Sequence, residues 1–239
     1  MIASIVAFRE RWTRLIASGA VGLSLLAQAA SYTRAGWVGH VAQAIAFALV
    51  TGRRWMIVCV VCVVIFLGLG LFSVSQMGYQ KDTVDPWTIK TRIETWKLGF
   101  QDLMAHPFVG IGYGYDTYAK HHVAFLEQQK HRDPRERSLE GMHNTFLMVV
   151  IGSGIPAFVF YVWIFVRIIT IMLKQAKRQV AEGRVVLISI AVSVLGFAVR
   201  NFFDYMFMGS LAYLFWILVA VGIVLASKGS EPTREGLSV

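Results

Sequence analysis

Apolar residues run along this chain in long uninterrupted blocks, and the polar residues are gathered between them. Stretches free of Asp, Glu, Lys and Arg occupy residues 15–33, 35–52, 55–80, 144–166, 185–199 and 205–227, the fourth continuing past Arg167 to Leu173 and the fifth past Arg200. A helix that crosses a bilayer needs about 20 mostly apolar residues, with a range of roughly 17–25. The pattern therefore predicts an all-α polytopic membrane protein with about six transmembrane helices. The first two stretches are short, and the second carries His40 and Gln43. Three helices are expected in residues 1–76, a large polar loop domain in 77–143, three further helices in 144–228 and a tail in 229–239.

Composition supports this pattern. Of 239 residues, 56% are hydrophobic and 15% charged, with a mean hydropathy of +0.58. That balance excludes a soluble domain, a disordered chain and a disulfide scaffold. The 23 Lys and Arg residues punctuate the apolar runs and form no continuous basic face, so nucleic acid is not an expected partner. Cys59 and Cys62 both fall within one apolar run and read as packing residues.

The net charge of +9 instead reports topology. Positive charge in short connections is retained on the cytoplasmic side. Arg9, Arg11, Arg14, Arg53, Arg54, Lys174, Lys177, Arg178, Arg184, Lys228 and Arg234 all fall on one side by alternation, whereas the opposite short connections hold only Arg34 and Arg200. Both termini are predicted cytoplasmic. The 77–143 domain then faces outward, into the periplasm of a bacterial inner membrane. Three arginines, an apolar run and Ala27-Gln28-Ala29 imitate a cleaved signal peptide. The charged region before the run is unusually long for one, so an intact first helix is expected.

The outward segment carries nine Lys and Arg, nine Asp and Glu and five of the six histidines. Trp87, Trp96, Phe100, Phe108, Tyr113 and Phe125 give it enough apolar area to fold. Ile93, Trp96 and Lys97 with Phe100, Leu103 and Met104 follow helical spacing. They predict an amphipathic helix over 88–105, ended by His106-Pro107. A glycine-rich turn at 110–114 and a second helix over 118–129 follow.

Four residues are candidates for chemistry. Arg34 lies on the outward side between two short apolar runs; it reads either as a topology-setting or snorkelling arginine or, since a positive charge there opposes the topology rule, as a functional one. Arg92 opens the outward helix one turn before Trp96; it reads either as a solvated face or as a guanidinium gripping a phosphate. Arg200 stands four residues before Asp204, which suits an ion pair or, more weakly, an anionic ligand site. His143 stands where the outward domain re-enters the membrane, before Asn144. It is either incidental to a helix cap or a general base for a lipid-linked substrate. The glycines at 110, 112 and 114 miss the nucleotide-loop spacing, and His121, His122 and His131 show no metal-ligand spacing. No metal and no cofactor are expected.

These residues resemble the O-antigen ligase and O-antigen polymerase superfamily in three segments. Thr33-Arg34-Ala35-Gly36-Trp37 is similar to that family's T-x-S-R-G/A segment, without its Ser. Arg92-Ile93-Glu94-Thr95-Trp96 with the His106-Pro107 to Gly114 stretch is similar to R-x-x-x-W followed by H-P-x-x-G-x-G-x-G. His143-Asn144-Thr145-Phe146-Leu147 with Gly152-Ser153-Gly154-Ile155-Pro156 is similar to the re-entry segment. The resemblance implies a glycosyltransferase that moves a glycan from undecaprenyl diphosphate to the lipid A core or to a growing polysaccharide, in lipopolysaccharide or polysaccharide biosynthesis. It implies diphosphate-binding roles for Arg34 and Arg92, and a catalytic or acceptor-positioning role for His143. Protein O-oligosaccharyltransferase activity belongs to the same family. Family members usually carry more helices, so a separate N-terminal half is a further partner to expect. A flippase or non-catalytic partner of lipid-linked glycan would spread its charges along a central cavity, whereas here they gather in the outward domain.

Overall fold

The computed structural model describes residues 34–52, 86–128, 141–205 and 207–228, together with Trp12, Leu15, Leu23 and Gly68 as isolated positions. Among the described residues, every regular element is helical: α1 (Arg34–Thr51), α2 (Pro86–Ala105), α3 (Tyr115–His121), α4 (Val123–Gln128), α5 (Thr145–Ala176), α6 (Ala181–Asn201) and α7 (Gly209–Lys228). Among the described residues, three helices are long and apolar enough to cross a membrane, over Thr145–Ala176, Glu182–Asn201 and Gly209–Ser227. The α1 stretch Gly36–Thr51 is apolar but shorter. The expected spans at 15–33 and 55–80, apart from single positions, lie outside the described residues.

The chain divides into two compact units. The first comprises Met1–Leu67, Phe165–Phe197 and Gly209–Val239; the second comprises Gly68–Ile164 and Ala198–Met208. In the first unit, small residues let helices approach closely, as membrane packing favours. A Cβ on Gly196 of α6 would overlap the Gln43 side chain of α1, and one on Gly222 of α7 would meet Met172 Cε at 2.6 Å. Phe215 completes the contact by packing on Phe165 and Phe197, at ring separations of 5.4 and 4.9 Å.

In the second unit, α2 begins at Pro86, where a proline suits the first helical turn because that N–H needs no partner. It ends before His106-Pro107, as the sequence predicts. Its buried side differs from the expected one. Thr91, Thr95, Gly99 and Asp102, spaced at helical intervals, face inward, while Ile93, Phe100 and Met104 remain exposed. The buried side is decided by close approach: a Cβ on Gly99 would run into Met142 and Ile151. Trp96, Leu98 and Leu103 still reach the core formed by Tyr118, Met142, Met148, Val150 and Ile151. The helix expected over 118–129 is observed as two short ones, α3 and α4, broken at His122.

The glycine-rich turn has a definite partner. Helix α5 is interrupted at Gly154, whose φ of 82° and ψ of 172° leave the helical region. In an unbroken helix the Ile155 amide would donate to the Ile151 carbonyl, and residue 156 would donate to Gly152. Ile155 donates instead to Pro107 O at 2.8 Å, and Pro156 has no N–H to offer. The two released carbonyls accept from the turn: Ile111 N to Ile151 O at 3.1 Å and Gly112 N to Gly152 O at 2.8 Å. Three backbone groups freed by the break, the Ile155 amide and the Ile151 and Gly152 carbonyls, are thus paired by residues 107–112. An unpaired buried one would cost about 1–3 kcal/mol.

Candidate functional site

The site is built around the entry to α5. Asn144 caps that helix, its Oδ1 accepting the Leu147 amide at 3.0 Å while its carbonyl accepts Met148 N. Next to it, the buried Thr145 hydroxyl lies 2.7 Å from Asn201 Oδ1 and 3.1 Å from the Asp204 carbonyl, one donor facing two acceptors. On the other side, the Trp96 indole donates to the Met142 carbonyl at 2.8 Å, and Met142 is fully buried. Behind the cap, Phe146 stacks on Phe202 with centroids 4.2 Å apart and meets Tyr161 edge-on at 5.5 Å. Truncating the cap tests its weight: Asn144→Ala should lower thermal stability by about 1 kcal/mol, read as a shift in the melting temperature of detergent-solubilised protein.

His143 is held between these fixed neighbours in the left-handed region, at φ 45°. A non-glycine residue there carries strain of roughly 1–2 kcal/mol, and such strain persists where surrounding contacts over-determine the backbone. Its Nδ1 lies 3.8 Å from Asp204 Oδ1, and both side chains are about one-third exposed. That separation is an electrostatic pairing, longer than a hydrogen bond. Interaction with the His143 side chain is the main influence holding the Asp204 carboxyl below its ordinary value; partial burial opposes it, and the Tyr205 amide and the Arg200 guanidinium assist. The Tyr205 amide donates to Asp204 Oδ1 at 2.8 Å. Asp204 is therefore an anion at neutral pH.

A carboxyl whose pKa is lower in the folded state stabilises the fold fully above its ordinary value and loses that effect as pH falls through the lowered one. The wild type should shed this contribution below pH 3.8, the ordinary carboxyl value. Asp204→Asn, which never had it, should show a flatter stability profile there when acid unfolding is followed by circular dichroism.

The second unit also holds Arg92 and Arg200. Each presents a buried Nε that has no hydrogen-bond partner among the described residues. A guanidinium with a donor left over is suited to an anion. Arg92 stands one helical turn before Trp96, whose indole fixes the residue preceding His143. Arg34 is the first residue of α1, in the first unit. The structure thus gathers Arg92, Arg200 and His143 into one unit, with Arg34 in the other.

The contacts of two acidic residues escaped the sequence reading. Helical spacing offers Arg200 as the partner of Asp204; α6 ends at Asn201, and the carboxylate faces His143, with Arg200 a lesser electrostatic influence. The sequence pattern offered a signal, since His143 and Asp204 both stand at ends of apolar spans. Asp102 is the other: it meets His122 at 2.7 Å and His121 at 3.7 Å, forming a group that could hold a metal ion. The spacing of the histidines alone could not show it, because the third member comes from α2.

The described residues define a helical membrane protein whose re-entering segment presents a strained histidine backed by a carboxylate, with two underused arginines in the same unit. Residues 19–162, more than half of the chain, match the O-antigen ligase family, and the chain belongs to that family. The matched range contains all three segments on which the resemblance rested. No curated protein matches the chain.

Proposed function

We propose that this protein is a glycosyltransferase that moves a glycan from undecaprenyl diphosphate to a hydroxyl of the lipid A core or of a growing polysaccharide, at the periplasmic face of the bacterial inner membrane. The observation that carries the reading is His143 itself, held on a left-handed backbone with its imidazole Nδ1 facing an ionised Asp204. That carboxylate favours the tautomer with hydrogen on Nδ1, which leaves the Nε2 lone pair to act as a base. In the transfer, Nε2 takes the acceptor proton as the acceptor oxygen forms its bond to the anomeric carbon. The bond from that carbon to the phosphate oxygen breaks, and attack from the opposite face inverts the centre. Arg92, with Arg200 as a weaker contributor and Arg34 from the family motif, neutralises the departing diphosphate. The lipid diphosphate is already a good leaving group, so the proposed step invokes no cofactor.

The exposed apolar residues of the second unit fit a site working beside lipid. Phe108 and Val109 follow Pro107, which bonds to the break in α5, and are largely exposed, as is Met104. Apolar side chains beside a spanning helix suit contact with the outer leaflet.

Two measurements test the proposal. Single cysteines at Gln129 should be labelled by an impermeant reagent from the periplasmic side, and those at Gln175 should not; the reverse pattern overturns the orientation. In membranes supplied with lipid-linked donor, Arg92→Ala should abolish transfer. Arg92→Lys should restore only part of it, because an ammonium keeps the charge and loses the planar fork. Unaltered transfer by Arg92→Ala would remove that residue from the donor site.

A further inference from the structure

Away from His143, the second unit contains one more convergence of titratable groups. Asp102 is buried near the end of α2, and His121 and His122 lie where α3 gives way to α4. In a continuous helix, neighbouring side chains diverge by about 100°. At His122 the backbone departs from helical geometry, with φ −112° and ψ 30°, and both imidazoles turn toward the same carboxylate. The Nε2 atoms of His122 and His121 lie 2.7 and 3.7 Å from Asp102 Oδ2 and Oδ1. One ligand atom from each of the three residues fits within 4.8 Å of the others.

We propose that Asp102, His121 and His122 form a zinc site, separate from the transfer chemistry, that ties α2 to the α3–α4 junction. Around a tetrahedral Zn2+ with bonds of about 2.0–2.2 Å, adjacent ligand atoms stand roughly 3.3–3.5 Å apart. The two observed separations, to different carboxylate oxygens, lie on either side of that range, and side-chain movement of about 1 Å brings the three donors to tetrahedral spacing. A proton shared between Asp102 and His122 satisfies one imidazole and leaves His121 beyond hydrogen-bond reach. A divalent cation engages all three donors. Two imidazoles and one carboxylate suit zinc better than the oxygen-seeking cations. The rings are already oriented: His122 packs on Tyr118 with centroids 4.6 Å apart and meets the His121 ring edge-on at 4.9 Å. The His121 side chain is 44% exposed, so the fourth position opens to water.

The full chain, purified in detergent without a histidine tag and stripped by a chelator, is titrated with Zn2+ against a chromogenic competitor. One equivalent should bind and raise the melting temperature. Asp102→Asn and His121→Gln should each weaken binding at least tenfold; His121 is exposed enough that its replacement leaves the fold intact. His106→Gln, outside the cluster, should bind as the wild type does. Absence of stoichiometric binding, or binding that survives His121→Gln, overturns the proposal, as does binding lost with His106→Gln alone.

Discussion

Glycan transfer is expected to fall by roughly 10²–10⁴-fold in His143→Gln, the usual contribution of a positioned general base, while lipid-linked donor stays bound. Glutamine keeps a hydrogen-bonding group and cannot take up the acceptor proton. Donor retention and product formation measured in the same membranes separate the two effects, and wild-type turnover would refute the general-base role. The backbone supplies an independent readout. With φ at 45°, His143→Gly should be more stable than His143→Ala by about 1–2 kcal/mol, because glycine adopts the left-handed region without penalty. Both variants should be inactive. A histidine kept where glycine would be more stable is retained for its imidazole, so the two measurements together distinguish function from an incidental neighbour of the Asn144 cap. Asp204→Asn should reduce turnover without reducing accumulation, since the partner of Nδ1 changes while the Thr145 tether uses only the backbone of residue 204.

The largest structural effects should come from Gly110→Ala and Gly154→Ala. At Gly110 an added Cβ would overlap the Gly152 carbonyl, and at Gly154 it would overlap the Phe108 carbonyl and come within 2.9 Å of Val109 N. Both positions have positive φ, 70° and 82°, so the new side chain also carries the left-handed cost of about 1–2 kcal/mol. Backbone atoms cannot step aside as a flexible side chain can. Relief requires separating residues 107–112 from the break in α5, which strands the Ile151 and Gly152 carbonyls at about 1–3 kcal/mol each. The total, at least ~3 kcal/mol, is a large part of the 5–15 kcal/mol typical of a whole domain. Little folded protein should accumulate in membranes. Gly141→Ala is the control: nothing lies within 4 Å of its added Cβ, and it should behave as the wild type. Normal accumulation of Gly110→Ala would show that the turn does not depend on this contact.

The sequence by itself determined the helical class, the long apolar helices near 145–176, 182–201 and 209–227, the end of α2, and the family. Each of these rests on information local to the chain or ordered along it. Apolar run length reports whether a segment can cross lipid, and His106-Pro107 ends a helix because a proline lacks an N–H wherever it occurs. Arg34, Arg200 and His143 were legible as candidates because charged or titratable residues at a membrane edge are costly and sparse, and Arg92 because it stands one turn before Trp96. Tertiary structure decided the rest. Spacing predicted the apolar side of α2, yet Thr91, Thr95 and Gly99 are buried because the re-entering segment needs a small-residue surface to approach, while Ile93 and Phe100 stay exposed. Asp204 faces His143, with Arg200 a lesser influence, because α6 ends before it, and Asp102 joined His121 and His122 from another helix. The glycine-rich turn looks like a loop in sequence, and its Ile111 and Gly112 prove to be the partners of a broken helix 40 residues on. Contacts between residues far apart in the chain leave no periodic trace, since each depends on which backbone groups the fold brings within hydrogen-bond reach.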